Sequence, residues 1–149
     1  MKSAALRSQV ISGCRSTQAG RTALRLVGYW GGPTTPGWPD PQSFVDHSWD
    51  EQEREDVADY LTQGFVFRAF GGVSMCRFCG IGNGEVELTD GSWYRPEGLA
   101  HYLTDHGVRL PQVFVGHVNS ELEFLEDAGT DTDWWKAQGG SKPEVVEES

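Results

Sequence analysis

Four side chains near the middle of the chain are of the types that hold a metal ion. Cys76 and Cys79 are separated by two residues, His101 and His106 by four, and twenty-one residues lie between the pairs, so the pattern reads C-x2-C-x21-H-x4-H. Thiolate sulfur and imidazole nitrogen are the donors that a structural zinc ion draws into a tetrahedron. A C-x2-C turn points two sulfurs the same way from a tight knuckle. Gly80 eases that turn, and its amide is placed to donate to a thiolate. On an ideal helix, residues five apart lie about 140° from each other around the axis. The last turn must therefore loosen or tighten near His106 for both imidazoles to reach one ion, and Gly107 makes that change cheap. Gaps of roughly three to five residues between histidines are accepted in Cys2His2 sites. The expected cofactor is Zn2+, with Cys76, Cys79, His101 and His106 as its ligands.

Competing chemistries fit the residues less well. A redox C-x-x-C opens a helix after a strand, whereas glycine-rich sequence follows Cys79. A zinc deaminase needs H-x-E ahead of P-C-x-x-C; here the histidines come after the cysteines and no proline precedes Cys76. The H-E-x-x-H pattern of metalloproteases is absent. Four protein ligands leave zinc no open position for water or substrate, and no nucleophile–base signature stands out elsewhere. No catalytic residue is assigned, and the chain reads as a non-enzyme. Asp105, Asp90 and Glu97 read most simply as solvated carboxylates; the sharper alternative is that one of them orients a ligand imidazole through its other nitrogen. His117 reads as a helix-packing residue, His47 as a surface or capping residue, and Cys14 as an isolated thiol.

The elements that must position these groups follow from the surrounding pattern. FVFRAF, residues 65 to 70, alternates and is rich in aromatics, as a strand is. EVELTDGSWY, residues 85 to 94, carries a D-G turn between two alternating runs, a hairpin signal. Pro96 fits the first position of a helix that runs to Gly107 and brings the histidines back to the cysteines. The long spacer calls for an extra loop, placed at Gly82 to Gly84. Before this core, Trp49, Val57, Tyr60 and Leu61 mark a helix, with Ser48 and Glu51 as its capping box and Gly64 as its C′ residue. After it, Pro111 starts a second amphipathic helix with Val113, Phe114, His117, Val118 and Leu122 on one stripe. The Gly/Pro segment 28 to 44 reads as an ordered arm whose Trp30 and Trp38 pack on the domain. The fold class is α+β: a small zinc-stabilised ββα core, finger-like in order, with a preceding helix and strand, a following helix and disordered termini.

Charge divides the chain. Its 149 residues carry a net charge of -10, yet Lys2, Arg7, Arg15, Arg21 and Arg25 precede the first acid, Asp40. Residues 1–27 read as a basic leader: a disordered extension, a transit-like segment, or the product of a start assigned too early. Poor apolar periodicity favours a dispensable extension. Residues 28–127 form the expected domain, and 128–149 an acidic tail with Trp134 and Trp135 as its apolar anchor. Hydrophobic content is 38% and mean hydropathy -0.47, so the core is modest and a metal would matter to it. No run reaches the roughly 18 apolar residues of a spanning helix, no secretory h-region follows Met1, and three cysteines do not suit a disulfide framework.

WPDPQSFVD, YLTQGFVFRAF, CRFCG and NGEVELTDGSWYRPEGLAHYLTDHGVRLP together resemble a family of small bacterial proteins, common in actinobacteria, for which no activity is established. The resemblance spans about residues 28 to 118. It implies a bacterial cytoplasmic setting and supports the reading of the leader as unneeded, but it supplies no substrate. The expected function is a zinc-held protein-binding or regulatory module with a basic protein partner and no membrane. The alternative is a finger-like nucleic-acid binder, with Arg95 near the helix start and the basic leader on phosphates.

Overall fold

The computed structural model describes residues 22–32 and 35–139. Four strands are present among them: β1 (Arg25–Leu26), β2 (Phe65–Ala69), β3 (Val86–Thr89) and β4 (Trp93–Pro96). The helices are α1 (Glu51–Leu61), α2 (Leu99–His106), α3 (Gln112–Asp127) and α4 (Asp133–Lys136), with a 3-10 turn at Pro41–Phe44. The class is α+β, as expected. The order β3–β4–α2 is the anticipated hairpin and helix, preceded by α1 and β2 and followed by α3.

The sheet runs β1-β4-β3-β2. β2 and β4 both pair antiparallel with β3, while β1 pairs parallel with β4 through Arg25 beside Trp93 and Leu26 beside Tyr94. This short edge strand lies inside the segment read as a leader, so the sheet starts before the expected domain boundary. Residues 1–21, and Cys14 with them, fall outside the described residues. At the other end, α4 sits in the segment expected to lack structure, with Trp134 and Trp135 exposed; residues 140–149 lie outside the description.

The hairpin between β2 and β3 positions the cysteines. Its ladder does not stop at the strand ends. The Phe70 amide donates to Glu85 O, Ser74 and Asn83 exchange bonds with Gly84 and each other, and Cys76 N donates to Ile81 O. The result is one long ribbon with the C-x-x-C knuckle as its tip. Gly82 to Gly84, expected as an extra loop, is absorbed into this ribbon, because backbone groups pair across it instead of turning outward.

Helices α1, α2 and α3 pack on one another and on Trp93 of β4, while β2 is exposed along its whole length. Val57, Ala58 and Leu61 of α1 meet Leu99, Tyr102 and Leu103 of α2, with Phe114, Val115 and Val118 of α3 and Trp93 of β4 closing the core. The α3 stripe is rotated from the expected one: Val113 is 64% exposed and Val115 is fully buried. Glu53 ties the helices together, accepting from Trp49 Nε1 at 2.6 Å and from Asn119 Nδ2 at 3.0 Å. The N-cap of α1 is Asp50, whose carboxylate takes the Glu53 amide. Ser48, the expected cap, instead donates its hydroxyl to Asp46 at 2.6 Å. Asp50 is one residue from the first helical turn and brings a charge that favours the helix dipole, so it displaces the hydroxyl. The C-cap is Thr62, and Gly64 follows with φ of 120°. Of the arm tryptophans, Trp30 is buried and Trp38 half-exposed.

Pro96 is the last residue of β4, opposite Glu87, and not the first of α2. The helix begins at Leu99 after Gly98. A proline is tolerated at a strand end where its nitrogen owes no ladder bond.

Candidate metal centre

The ribbon tip is a knuckle in which the main chain folds back on a sulfur. Phe78 N lies 3.4 Å from Cys76 Sγ, and Gly80 N donates to Cys76 O at 2.9 Å. The amide that reaches the thiol is thus Phe78's, whereas Gly80 closes the turn with φ of 76°. Opposite the tip stands the C-terminal turn of α2. The Gly107 and Val108 amides both close on the Tyr102 carbonyl, five and six residues back, with Gly107 left-handed at φ of 70°. This widened final turn is the departure from ideal helix geometry that a five-residue histidine step requires. An added Cβ on Gly107 would stand 2.7 Å from the His47 ring, so a side chain there must displace that ring and also strain the left-handed backbone.

Cys76, Cys79, His101 and His106 come together with one donor atom from each, all within 4.8 Å of one another. Two edges of the group can be compared with those of a metal tetrahedron. Bonds of about 2.3 Å to sulfur and 2.05 Å to nitrogen at tetrahedral angles imply roughly 3.3 Å between nitrogens and roughly 3.6 Å between sulfur and nitrogen. His101 Nε2 lies 3.3 Å from His106 Nε2 and 3.4 Å from Cys79 Sγ. Both edges fit ligands around one small cation, and both are also within hydrogen-bond reach. Both histidines present Nε2 to the group, which leaves Nδ1 for orienting contacts. His101 Nδ1 is 3.4 Å from Asp105 Oδ2, one helical turn on, so of the three candidate carboxylates Asp105 is the one beside a ligand imidazole, although it is also largely exposed. The His106 ring stacks on Phe78, at 4.7 Å between centroids and 18° between planes. Cys76 is buried and Cys79 exposed.

Tyr102, which sequence reasoning read only as part of the helix, completes the support. It lies between the two histidines in the sequence of α2 and reaches across to the knuckle. Its hydroxyl accepts from Arg77 N at 2.9 Å and lies beside Cys76. Burial raises the phenol's pKa, and the neighbouring Cys76 raises it further. A protonated phenol beside a thiolate is a donor to it. The ring packs between Trp30 and Phe78.

The other carboxylates considered for the site do different work. Glu97 accepts from the amides of Glu85 and Val86 at 2.8 and 3.3 Å, fastening the ribbon where it becomes β3. Asp90 holds the β3–β4 turn through the Ser92 and Trp93 amides, and its second oxygen takes Tyr60 Oη at 2.6 Å and His117 at 2.8 Å. These hydrogen bonds, led by His117 and Tyr60, outweigh burial and hold the Asp90 carboxyl well below the usual carboxylate range. His117 is a packing residue, as expected, half-buried against Trp93 and Phe114.

Arg95 is 1% exposed. Its guanidinium donates to the carbonyls of Tyr60, Leu61 and Gln63 at the end of α1, where the helix dipole favours a cation. It serves as the C-terminal cap of α1 and does not reach solvent. Among the described residues no helix is long and apolar enough to cross a membrane. No protein-family model matches the chain, and no curated protein or solved structure does so.

Proposed function

We propose that the chain is a zinc-stabilised protein-binding module in which the ion pins the ribbon tip to α2. The observation that carries this reading is the convergence of two thiols and two imidazoles within 4.8 Å of one another, with the His101–His106 and His101–Cys79 edges near tetrahedral length. Sulfur and imidazole donors in this ratio favour zinc over hard cations. Four protein ligands leave no site for substrate, so the metal is structural and the protein is not an enzyme at this centre. The ribbon tip contributes little apolar core besides Cys76, and metal binding would supply roughly 10 kcal/mol toward ordering it.

The exterior suits a basic protein partner. The second half of α3 exposes Phe124 and Leu125 among Glu121, Glu123, Glu126 and Asp127. The nucleic-acid alternative loses its main support, because Arg95, the cation at the start of α2, is enclosed and engaged with backbone carbonyls. Thermal unfolding with and without one equivalent of zinc, paired with a duplex-DNA mobility shift at low salt, tests both statements. A raised midpoint with zinc and no shifted DNA is expected. A midpoint indifferent to metal would remove the structural role, and a salt-sensitive DNA complex would move the function to nucleic acid.

A further inference from the structure

The arm leaves a cleft of about 480 Å3 between itself, the ribbon and the start of α2. That volume is in the range of small-molecule sites. Its walls are aromatic and apolar: Tyr29 and Trp38 from the arm, Phe70 and Met75 from the ribbon, Pro96 from β4 and Tyr102 from α2. Tyr29 and Trp38 meet edge-to-face at 5.7 Å, which presents a ring face and a ring edge to whatever lies between the arm and the ribbon.

The electrostatics of this cleft run against those of the whole chain. The protein carries 22 acidic side chains, but none of those among the described residues lines the cleft. Glu87, which meets the lining residue Tyr29, is buried and spent on Tyr29 Oη and Arg68 Nε. The one charged residue in the lining is Arg77. Its Nη2 is fixed by Trp30 O at 3.1 Å and Thr35 Oγ1 at 3.5 Å, which leaves Nε and Nη1 without a protein acceptor among the described residues. Nη1 lies on the Gly32 side, where a neighbouring hollow is also lined by Asp40, so the guanidinium stands between the two hollows, and its unbonded nitrogens can take a planar carboxylate. Asn83 and Ser74 add uncharged polar groups to the same lining. Backbone at the rim is close: a Cβ on Gly98 would strike Asn83 at 1.9 Å, so the wall there has no slack.

We infer that this cleft binds a small molecule with a flat aromatic body and a single carboxylate, the ring seated between Trp38 and Met75 and the acid on Arg77. The site lies beside the metal centre without using it. Its wall shares Tyr102 with the cysteine support, and Arg77 stands inside the knuckle, so the metal shapes the cleft while the ligand touches none of the four donors.

The test uses the zinc-loaded full chain, with 2-naphthoate as probe and 2-naphthylmethylammonium as its cationic counterpart, followed by amide and indole NMR shifts. For a ligand of this size, a dissociation constant of about 1 mM or tighter is expected, with shifts gathered at Trp38, Met75, Arg77 and Asn83. The cationic probe should bind at least tenfold more weakly. Arg77→Gln should weaken naphthoate at least tenfold and erase the preference for the anion. Trp38→Ala, on the arm and away from the ligands, should weaken both probes, while Trp134→Ala should change neither. Zinc content is measured in each variant, so a failure of the metal centre is seen separately from a failure of the cleft. Absence of saturation at 10-fold excess over that constant, equal affinity for the two probes, or unaltered naphthoate binding in Arg77→Gln with Trp38→Ala also silent would overturn the inference.

Discussion

Replacing Tyr102 by Phe removes one oxygen and keeps the ring that packs on Trp30 and Phe78. The Arg77 amide loses its acceptor at 2.9 Å, and Cys76 loses the hydroxyl donor beside it. The first loss is small, because the amide is only part-buried and water can replace the oxygen. The second removes a donor from a buried thiolate ligand, and a hydrogen bond to a charged group contributes about 1.5–3 kcal/mol. Substitutions of groups that orient metal ligands lower metal affinity by about 10- to 100-fold, equivalent to about 1.4–2.8 kcal/mol, so the two estimates agree. Competition for zinc against a chromophoric chelator reads the effect directly. Tyr102→Phe should retain one zinc per chain at saturation, with affinity lowered by one to two orders of magnitude. Urea unfolding of the two metal-free chains should show a smaller difference than the zinc-loaded pair. An affinity within twofold of the parent, or an equal stability loss with and without metal, would refute the role given to the hydroxyl.

Arg95→Met takes the donor from the Leu61 and Gln63 carbonyls, while Tyr60 O keeps the Gln63 amide, and it keeps most of the side chain's volume; the zinc-loaded protein should lose about 3 kcal/mol in urea unfolding, and a near-neutral result would contradict the capping role. Gly107→Ala should cost about 1 kcal/mol for the left-handed backbone alone, plus the clash with His47, and should weaken zinc binding by moving His106. Adding His47→Ala should recover the clash but not the backbone cost, and full recovery would show that the backbone is not strained. Asp46 is held down to a pKa of about 2 by the Ser48 hydroxyl and by Arg109. A depressed carboxylate stabilises the fold above its unfolded pKa, about 3.9, and that contribution fades only as pH falls toward the folded value. The Asp46→Asn deficit should therefore be the same at pH 8 and pH 5.5, measured as urea midpoints with matched zinc. A deficit that halves over that interval would point to another group.

The sequence carries its strongest information where chemistry and spacing coincide. Two cysteines and two histidines can be matched to one ion because donor type, knuckle and helix are each local features. Asp105 is legible for the same reason, being one helical turn from His101. Tyr102 was not, since a tyrosine inside an apolar helical pattern signals packing and nothing in the sequence shows that the ribbon tip lies within its reach. Arg95 had a signal that the assignment of Pro96 to the helix obscured. In W-Y-R-P, residues two apart share a face of a strand, and a buried Trp93 takes Arg95 inward with it. The cap of α1 was misplaced by two residues because Ser48 and Asp50 are both good caps. β1 depends on a distant pairing with β4 that two residues cannot announce, and the ribbon's length follows from backbone bonds that composition does not encode. The cleft is a product of the arm's path, which the Gly/Pro pattern marks as irregular without giving its direction.

Nothing probes the four-ligand centre more squarely than zinc K-edge X-ray absorption on the purified chain, with metal content measured on the same sample. Two sulfurs at about 2.3 Å and two imidazole nitrogens at about 2.0 Å, with one zinc per chain, is the expected result, and Cys79→Ser and His106→Ala should each lose one scatterer of the matching kind. A chain that retains no zinc, or whose first shell holds only light atoms or four sulfurs, would contradict it.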